Sequence, residues 1–211
     1  LERIRDIENR RGHRVQVGVA LDTPEVDALL KAADSLPTKT ARLRARVILL
    51  LGFDAGLRRS EIGQVRQSDV NFKDSTLLVR GKGNKERIVP LSRRLHDALE
   101  AWLKHIAPIR HEKGFGDYLL GSLTRTGKLK NLDGISGDGI RKFLVQLGIQ
   151  AGLPEGRIPS PHDMRRTAVT NWLERGNVRV AQALAGHEHV QTTMSYDRGN
   201  LEEEMRRVVD S

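Results

Sequence analysis

The sequence predicts an α+β domain, mainly α-helical, with a small three-stranded antiparallel sheet. Apolar residues recur at helical spacing over most of the chain, as in Val26, Leu29 and Leu30, or Leu95, Leu99 and Trp102. One stretch, 69–90, departs from that period and alternates around two turns, Lys73-Asp74 and the glycine-rich 81–85. Apolar residues make up 38% of 211 positions, which is enough to bury a core and excludes a disordered chain.

Residues 1–19 are a basic lead-in carrying Arg3, Arg5, Arg10, Arg11 and Arg14. Helical signals begin at Asp22-Thr23-Pro24-Glu25. Thr23 can accept from the free first-turn N–H groups, Pro24 suits the first helical position and Glu25 complements the dipole. A second helix is expected over 39–55. Its run Val47-Ile48-Leu49-Leu50-Leu51 is apolar on all sides, so it belongs at the centre of the core. Gly56 ends it, and Ser60-Glu61 can start a short helix over 62–65. Arg58 therefore sits in a tight turn straight after a buried helix, a rigid mount for a side chain.

Strands are expected over 69–72, 75–80 and 86–90. The turn Gly81-Lys82-Gly83-Asn84-Lys85 joins two strands and lacks a Lys-Ser/Thr ending, so it is a hairpin turn and not a nucleotide-binding loop. Helices resume over 92–105, on Leu95, Leu99 and Trp102, and over 139–151, on Ile140, Phe143, Leu144 and Leu147. Residues 111–138 between them read as irregular, with Tyr118 as a packing residue. A loop over 152–161 leads to a helix opened by His162 and running to 173. Short helices over 177–184, 188–195 and 201–209 finish the chain.

The net charge of +9 points to a polyanionic partner, of which nucleic acid is the usual one. The absence of cysteine excludes disulfides and thiolate metal sites and fits a cytoplasmic protein. The longest apolar run, 47–53, is too short to cross a bilayer, and no signal-peptide pattern opens the chain. His187-Glu188-His189 is not a metal site, because two positions of separation put the rings on different helix faces.

Basic groups stand on separate mounts: Arg58, Lys82, His162 with Arg165 three positions on, and His187. Tyr196 lies downstream of them all and is one of only two tyrosines. With no cysteine present, Tyr196 is the first candidate for a covalent nucleophile. Taken singly, each has an ordinary reading: surface charges for the arginines and the lysine, a helix-start or core role for the histidines, an interface tyrosine. Their order along the chain gives them weight together.

In that order the boxes resemble the tyrosine recombinase family, also called phage-type integrases. GLRRSE (56–61) resembles the family's first arginine box and GKGNKERIVPLS (81–92) its β-hairpin lysine box. His162-Asp163-Met164-Arg165 is similar to its His-x-x-Arg, and LAGHEHVQTTMSY (184–196) to its histidine-to-tyrosine box. Met164 stands where leucine is more usual, Arg166 where histidine often follows, and Glu188-His189 where small polar residues are common; no reactive group is lost.

The resemblance implies the recombinase catalytic-domain fold over 20–211, with 1–19 a linker from an upstream DNA-binding domain outside this chain. It implies a site-specific recombinase or integrase, of the kind mobile elements carry, that cleaves and rejoins double-stranded DNA through a 3′-phosphotyrosine. No ATP, metal or other cofactor is implied. Arg58 and Arg165 would hold the non-bridging oxygens, Tyr196 attack, His162 act as base, Lys82 as acid, and His187 hydrogen-bond the phosphate; Glu61 would buttress the arginine turn. A free monomer would assemble into a synaptic tetramer on DNA, helped by the tail 199–211, whose Leu201, Met205, Val208 and Val209 form an apolar stripe. The site of action would be the cytoplasm and nucleoid of a prokaryote. Two alternatives stay open: a type IB topoisomerase-like relaxing enzyme and a catalytically silent DNA-binding accessory protein. The lysine box and the short tail favour the recombinase.

Overall fold

The computed structural model describes residues 18–81, 83, 85–176, 178–186 and 192. Residues 1–17 of the lead-in, Lys82, His187, Tyr196 and the tail 199–211 lie outside the described residues. So do the expected helices over 188–195, residue 192 excepted, and 201–209.

Seven helices and three strands are described: α1 (Thr23–Asp34), α2 (Lys39–Phe53), α3 (Arg59–Gln64), β1 (Val70–Asn71), β2 (Thr76–Arg80), β3 (Glu86–Pro90), α4 (Arg93–Lys113), α5 (Gly137–Gln150), α6 (Pro161–Arg175) and α7 (Val178–Ala185). The expected mainly helical α+β architecture is what is found. Among the described residues no helix is long and apolar enough to cross a membrane.

α2 is the spine. Val47, Ile48, Leu49, Leu50 and Leu51 are wholly buried, and α1, α4 and α6 pack around them. A helix apolar all round is stable only where every side is covered. Thr38 starts it, its Oγ1 accepting from the Ala41 N–H at 3.1 Å. The sheet has order β1-β2-β3, all antiparallel, with Leu77 opposite Val89 and Val79 opposite Arg87. Period-two alternation turns Leu77, Val79 and Val89 inward, and Arg87 shares that face.

Several boundaries differ from the expected ones for local reasons. Asp22, not Thr23, caps α1: its Oδ1 accepts from the Glu25 N–H at 2.9 Å, and Glu25 Oε2 accepts from the Asp22 N–H at 2.9 Å. Pro24 is therefore the second helical residue. α3 starts at Arg59 because Glu61 reaches back to the Arg58 N–H. β1 is shorter than expected because Gln67–Asp69 form a 3-10 turn, with Asp69 Oδ2 accepting from the Arg66 N–H at 2.9 Å.

α4 runs eight residues past the expected end, through Pro108. Ile106 is wholly buried, Arg110 Nη2 donates to the Tyr118 carbonyl at 2.8 Å, and Gly114 ends the helix in the left-handed region. These contacts outweigh the single hydrogen bond that proline removes. The irregular stretch after α4 is pinned to the core: Trp102 Nε1 donates to the Leu119 carbonyl at 2.8 Å, and the Arg66 guanidinium lies 5.2 Å from the Tyr118 ring centre.

Leu49→Ala, at the centre of this packing, is expected to cost about 2–5 kcal/mol. Ile88→Ala, on the outer face of β3 and 66% exposed, is expected to change stability by less than about 0.5 kcal/mol. Urea midpoints of the two variants check the assignment; equal effects would contradict it.

Candidate active site

The site begins where α2 stops. Gly56 has φ +59°, and a Cβ there would lie 2.4 Å from Trp172 Cη2, so only glycine fits the turn. That turn delivers Arg58 to the residue preceding α3. Glu61 folds back on it: Oε2 accepts from the Arg58 N–H at 2.8 Å and Oε1 from Arg58 Nη1 at 2.9 Å. From β3, Arg87 donates Nη1 to Oε1 at 2.9 Å and Nη2 to Oε2 at 2.8 Å. Each oxygen of Glu61 thus accepts two donors, and the residue is 4% exposed. Burial by itself pushes the carboxyl upward. The paired Arg87 hydrogen bonds and charge, followed by Arg58, outweigh it and hold Glu61 down at about 2.

The second arginine comes from α6. Ser160 caps this helix, accepting from the Asp163 N–H at 3.3 Å while Asp163 Oδ2 accepts from the Ser160 N–H at 2.8 Å. Pro161 takes the first helical position, one residue before the expected start at His162. Arg165 follows on the inward face and is 3% exposed. Its Nη1 donates to the Gly56 carbonyl at 2.6 Å and its Nη2 to the Ala185 carbonyl at 2.6 Å. His162, one turn earlier, reaches the surface. Partial burial of its ring, then Arg166 and Arg165 against an opposing pull from Asp163, hold its pKa below the usual 6.5.

These groups meet at the C-terminal end of α7. Three successive carbonyls there accept from three guanidinium groups: Leu184 from Arg87 Nε at 3.1 Å, Ala185 from Arg165 Nη2 and Gly186 from Arg58 Nη2 at 3.3 Å. A helix C-terminus presents unsatisfied carbonyls and a partial negative charge, which suits cations. Gly186 is followed directly by His187 in the chain. The hairpin lies alongside. Gly81, the neighbour of Lys82, donates its N–H to the Lys85 carbonyl at 2.7 Å, and a Cβ at Gly81 would lie 3.6 Å from Glu61 Oε1. Arg80 braces the hairpin base by pairing with Asp69 and with Glu86.

The fold thus brings Arg58, Glu61 and Arg165 together, with His162 a turn away on α6. Positions of Lys82, His187 and Tyr196 are outside the described residues. The sequence reading missed Arg87 and the carbonyls of α7. Alternation in β3, which places Arg87 on the same face as Val89, was the available signal for Arg87. Three arginines against one carboxylate leave an excess of positive charge, and the Arg58 side chain is 42% exposed. Such a cluster can hold an oxyanion through forked, charge-assisted hydrogen bonds.

The sequence model of the Phage integrase family matches residues 20–203, and the chain belongs to that family. It is 38% identical over 173 residues to Tyrosine recombinase XerC of Chlamydia muridarum, an alignment covering 82% of this chain and 51% of that protein. It is 34% identical over 181 residues to Tyrosine recombinase XerA of Pyrococcus horikoshii, covering 85% of this chain and 56% of the relative. The chain spans about half the length of these curated relatives. Among solved structures, a XerA recombinase crystal structure matches with a TM-score of 0.71 at 29% identity, over 90% of this chain and 64% of that one. A lambda integrase dimer bound to a COC′ core site matches with a TM-score of 0.64 at 20% identity, over 86% of this chain and 60% of that one, a likeness of fold alone.

Glu61 has a folded-state pKa near 2 against an ordinary 4.5, so its contribution is fully present above pH 4.5 and is lost as pH falls toward 2. Glu61→Gln is expected to lower stability at pH 7, leaving two arginines facing a neutral amide, and to flatten the loss of stability below pH 4.5. Denaturant midpoints of both proteins at pH 7, 4 and 3 check this; parallel curves would contradict it.

Proposed function

We propose that this chain is the catalytic part of a site-specific DNA recombinase that breaks and rejoins strands through a 3′-phosphotyrosine. The observation that carries the reading is the convergence of Arg58 and Arg165, from separate elements, on adjacent carbonyls just before His187. Membership of the phage integrase family and the recombinase names of the relatives support it.

A DNA phosphodiester repels nucleophiles and gains charge on its non-bridging oxygens as attack proceeds. In this reading Arg58 and Arg165 fork onto those oxygens, and His187 adds a hydrogen bond. The Tyr196 oxygen attacks phosphorus and the bond from phosphorus to the 5′ oxygen breaks, leaving the phosphate esterified to Tyr196 and to the 3′ oxygen. The phenol, with an ordinary pKa of about 10, gives its proton to His162, and the departing 5′ oxygen takes one from Lys82. A depressed His162 pKa suits the base, because the ring stays neutral at neutral pH. One phosphate ester replaces another, so a 5′-hydroxyl of a second strand reverses the step without ATP, and the arginines supply the charge that a metal would otherwise provide. Double-stranded DNA at a specific site is the substrate. Assembly into a synaptic tetramer through the tail 199–211, with its stripe of Leu201, Met205, Val208 and Val209, completes the proposal.

The direct test is covalent trapping. Wild type offered a nicked duplex bearing the native site is expected to give a denaturant-resistant protein–DNA band that Tyr196→Phe does not give. Arg58→Ala or Arg165→Ala should slow the appearance of that band by about 10²–10³, the range for loss of one transition-state donor. A band in Tyr196→Phe equal to wild type would overturn the reading.

A second expectation concerns pH. His162 must be neutral to accept the proton and its pKa lies below 6.5, so the cleavage rate should fall on the acid side with a midpoint below pH 6.5. His162→Gln should be slow and lack this acid limb in a single-turnover pH profile.

A further inference from the structure

Outside the residues assigned above, Arg87 is the group most deeply tied into the site. We infer that Arg87 is a positioning residue for strand cleavage: it holds the charge of Glu61 so that Arg58 stays available to the phosphate. The inference rests on the recombinase reading.

Glu61 accepts twice from Arg58, through the backbone N–H and Nη1, and twice from Arg87, through Nη1 and Nη2. Two cations share one buried anion, so the pair of arginines retains a full positive charge. Without Arg87, Arg58 and Glu61 would form a neutral pair. The exposed guanidinium would then be drawn onto both carboxylate oxygens, and the attraction for a phosphate would drop by one charge.

The hydrogen bonds of Arg87 run inward. Its side chain is 13% exposed, and all three of its nitrogens are committed, two to Glu61 and Nε to the Leu184 carbonyl. Its stem also lies under the backbone that leads to His187: a Cβ at Gly186 would approach Arg87 Cδ at 3.0 Å. Because β3 is one arm of the hairpin that carries Lys82, Arg87 ties that arm to the Glu61 carboxylate, which also holds Arg58, and to the end of α7. A lysine cannot replace it, since a single ammonium cannot span both carboxylate oxygens and a carbonyl at once.

The test compares wild type, R87Q, E61Q and R87Q/E61Q, with folding of each checked by circular dichroism. Two quantities are read: affinity for inorganic phosphate by calorimetry, and the rate of covalent adduct formation on a nicked duplex. R87Q is expected to weaken phosphate binding about tenfold and slow adduct formation about 10²-fold, on the scale of losing a charge-assisted contact. Adding E61Q should recover part of both losses, because no carboxylate then competes for Arg58. R87Q equal to wild type in both readouts, or a double variant worse than R87Q, would overturn the inference. If wild type forms no adduct, the recombinase reading fails, while the phosphate affinities still decide the role of Arg87. Should R87Q not fold, R87K serves: it keeps the charge and loses the fork, so phosphate affinity should be retained and the adduct rate should fall about tenfold. An R87K rate equal to wild type would overturn the positioning role.

Discussion

A carboxylate buried to 4% exposure persists only if its charge and its lone pairs are met, and Glu61 is met from two directions. Arg58 approaches from the turn that ends α2, and Arg87 from the sheet. That one carboxylate fixes the hairpin against the helical body. It also fixes where Arg58 can point, because the backbone N–H of Arg58 is held by the same side chain. The rest of the site is arranged around the charge left over.

The helical body supplies the precision. α2 is wholly buried along 47–51, so its end cannot drift, and Gly56 turns the chain within contact of Trp172 on α6. α2 and α6 cross closely, since a Cβ at Gly52 would lie 2.8 Å from Met164. This approach sets Arg165, the next residue, beneath the Gly56 carbonyl that accepts from it. Side chains far apart in sequence thereby share one small volume, with α7 supplying carbonyls for three guanidinium groups. Those carbonyls hold the arginines in place while leaving the Arg58 side chain open to solvent.

Much of this was legible in the sequence, for physical reasons. The apolar run 47–51, set in a longer helical pattern that ends at Gly56, marked a central helix, and the alternation of 75–80 and 86–90 around a glycine-rich turn marked a hairpin. Arg58 was marked by its place after Gly56, and His162 with Arg165 by their spacing at a helix start. Less legible were features set by long-range partners. Asp22 took the cap of α1 because Glu25 could return the bond, which Thr23 could not show beforehand. α4 passed through Pro108 because Ile106 and Arg110 find partners beyond it. Arg87 looked like one more basic residue in a basic hairpin; its role emerges only when α3 and α7 are folded against β3.

In the proposed reaction these arginines prepare a phosphate for Tyr196. Mapping the covalent product tests it most directly: trap the protein on a nicked duplex, digest protein and DNA, and identify the peptide that carries the nucleotide by mass spectrometry. A nucleotide phosphate on the peptide containing Tyr196 is expected. Modification at Tyr118, which packs against Arg66, or at a serine or histidine, would contradict it.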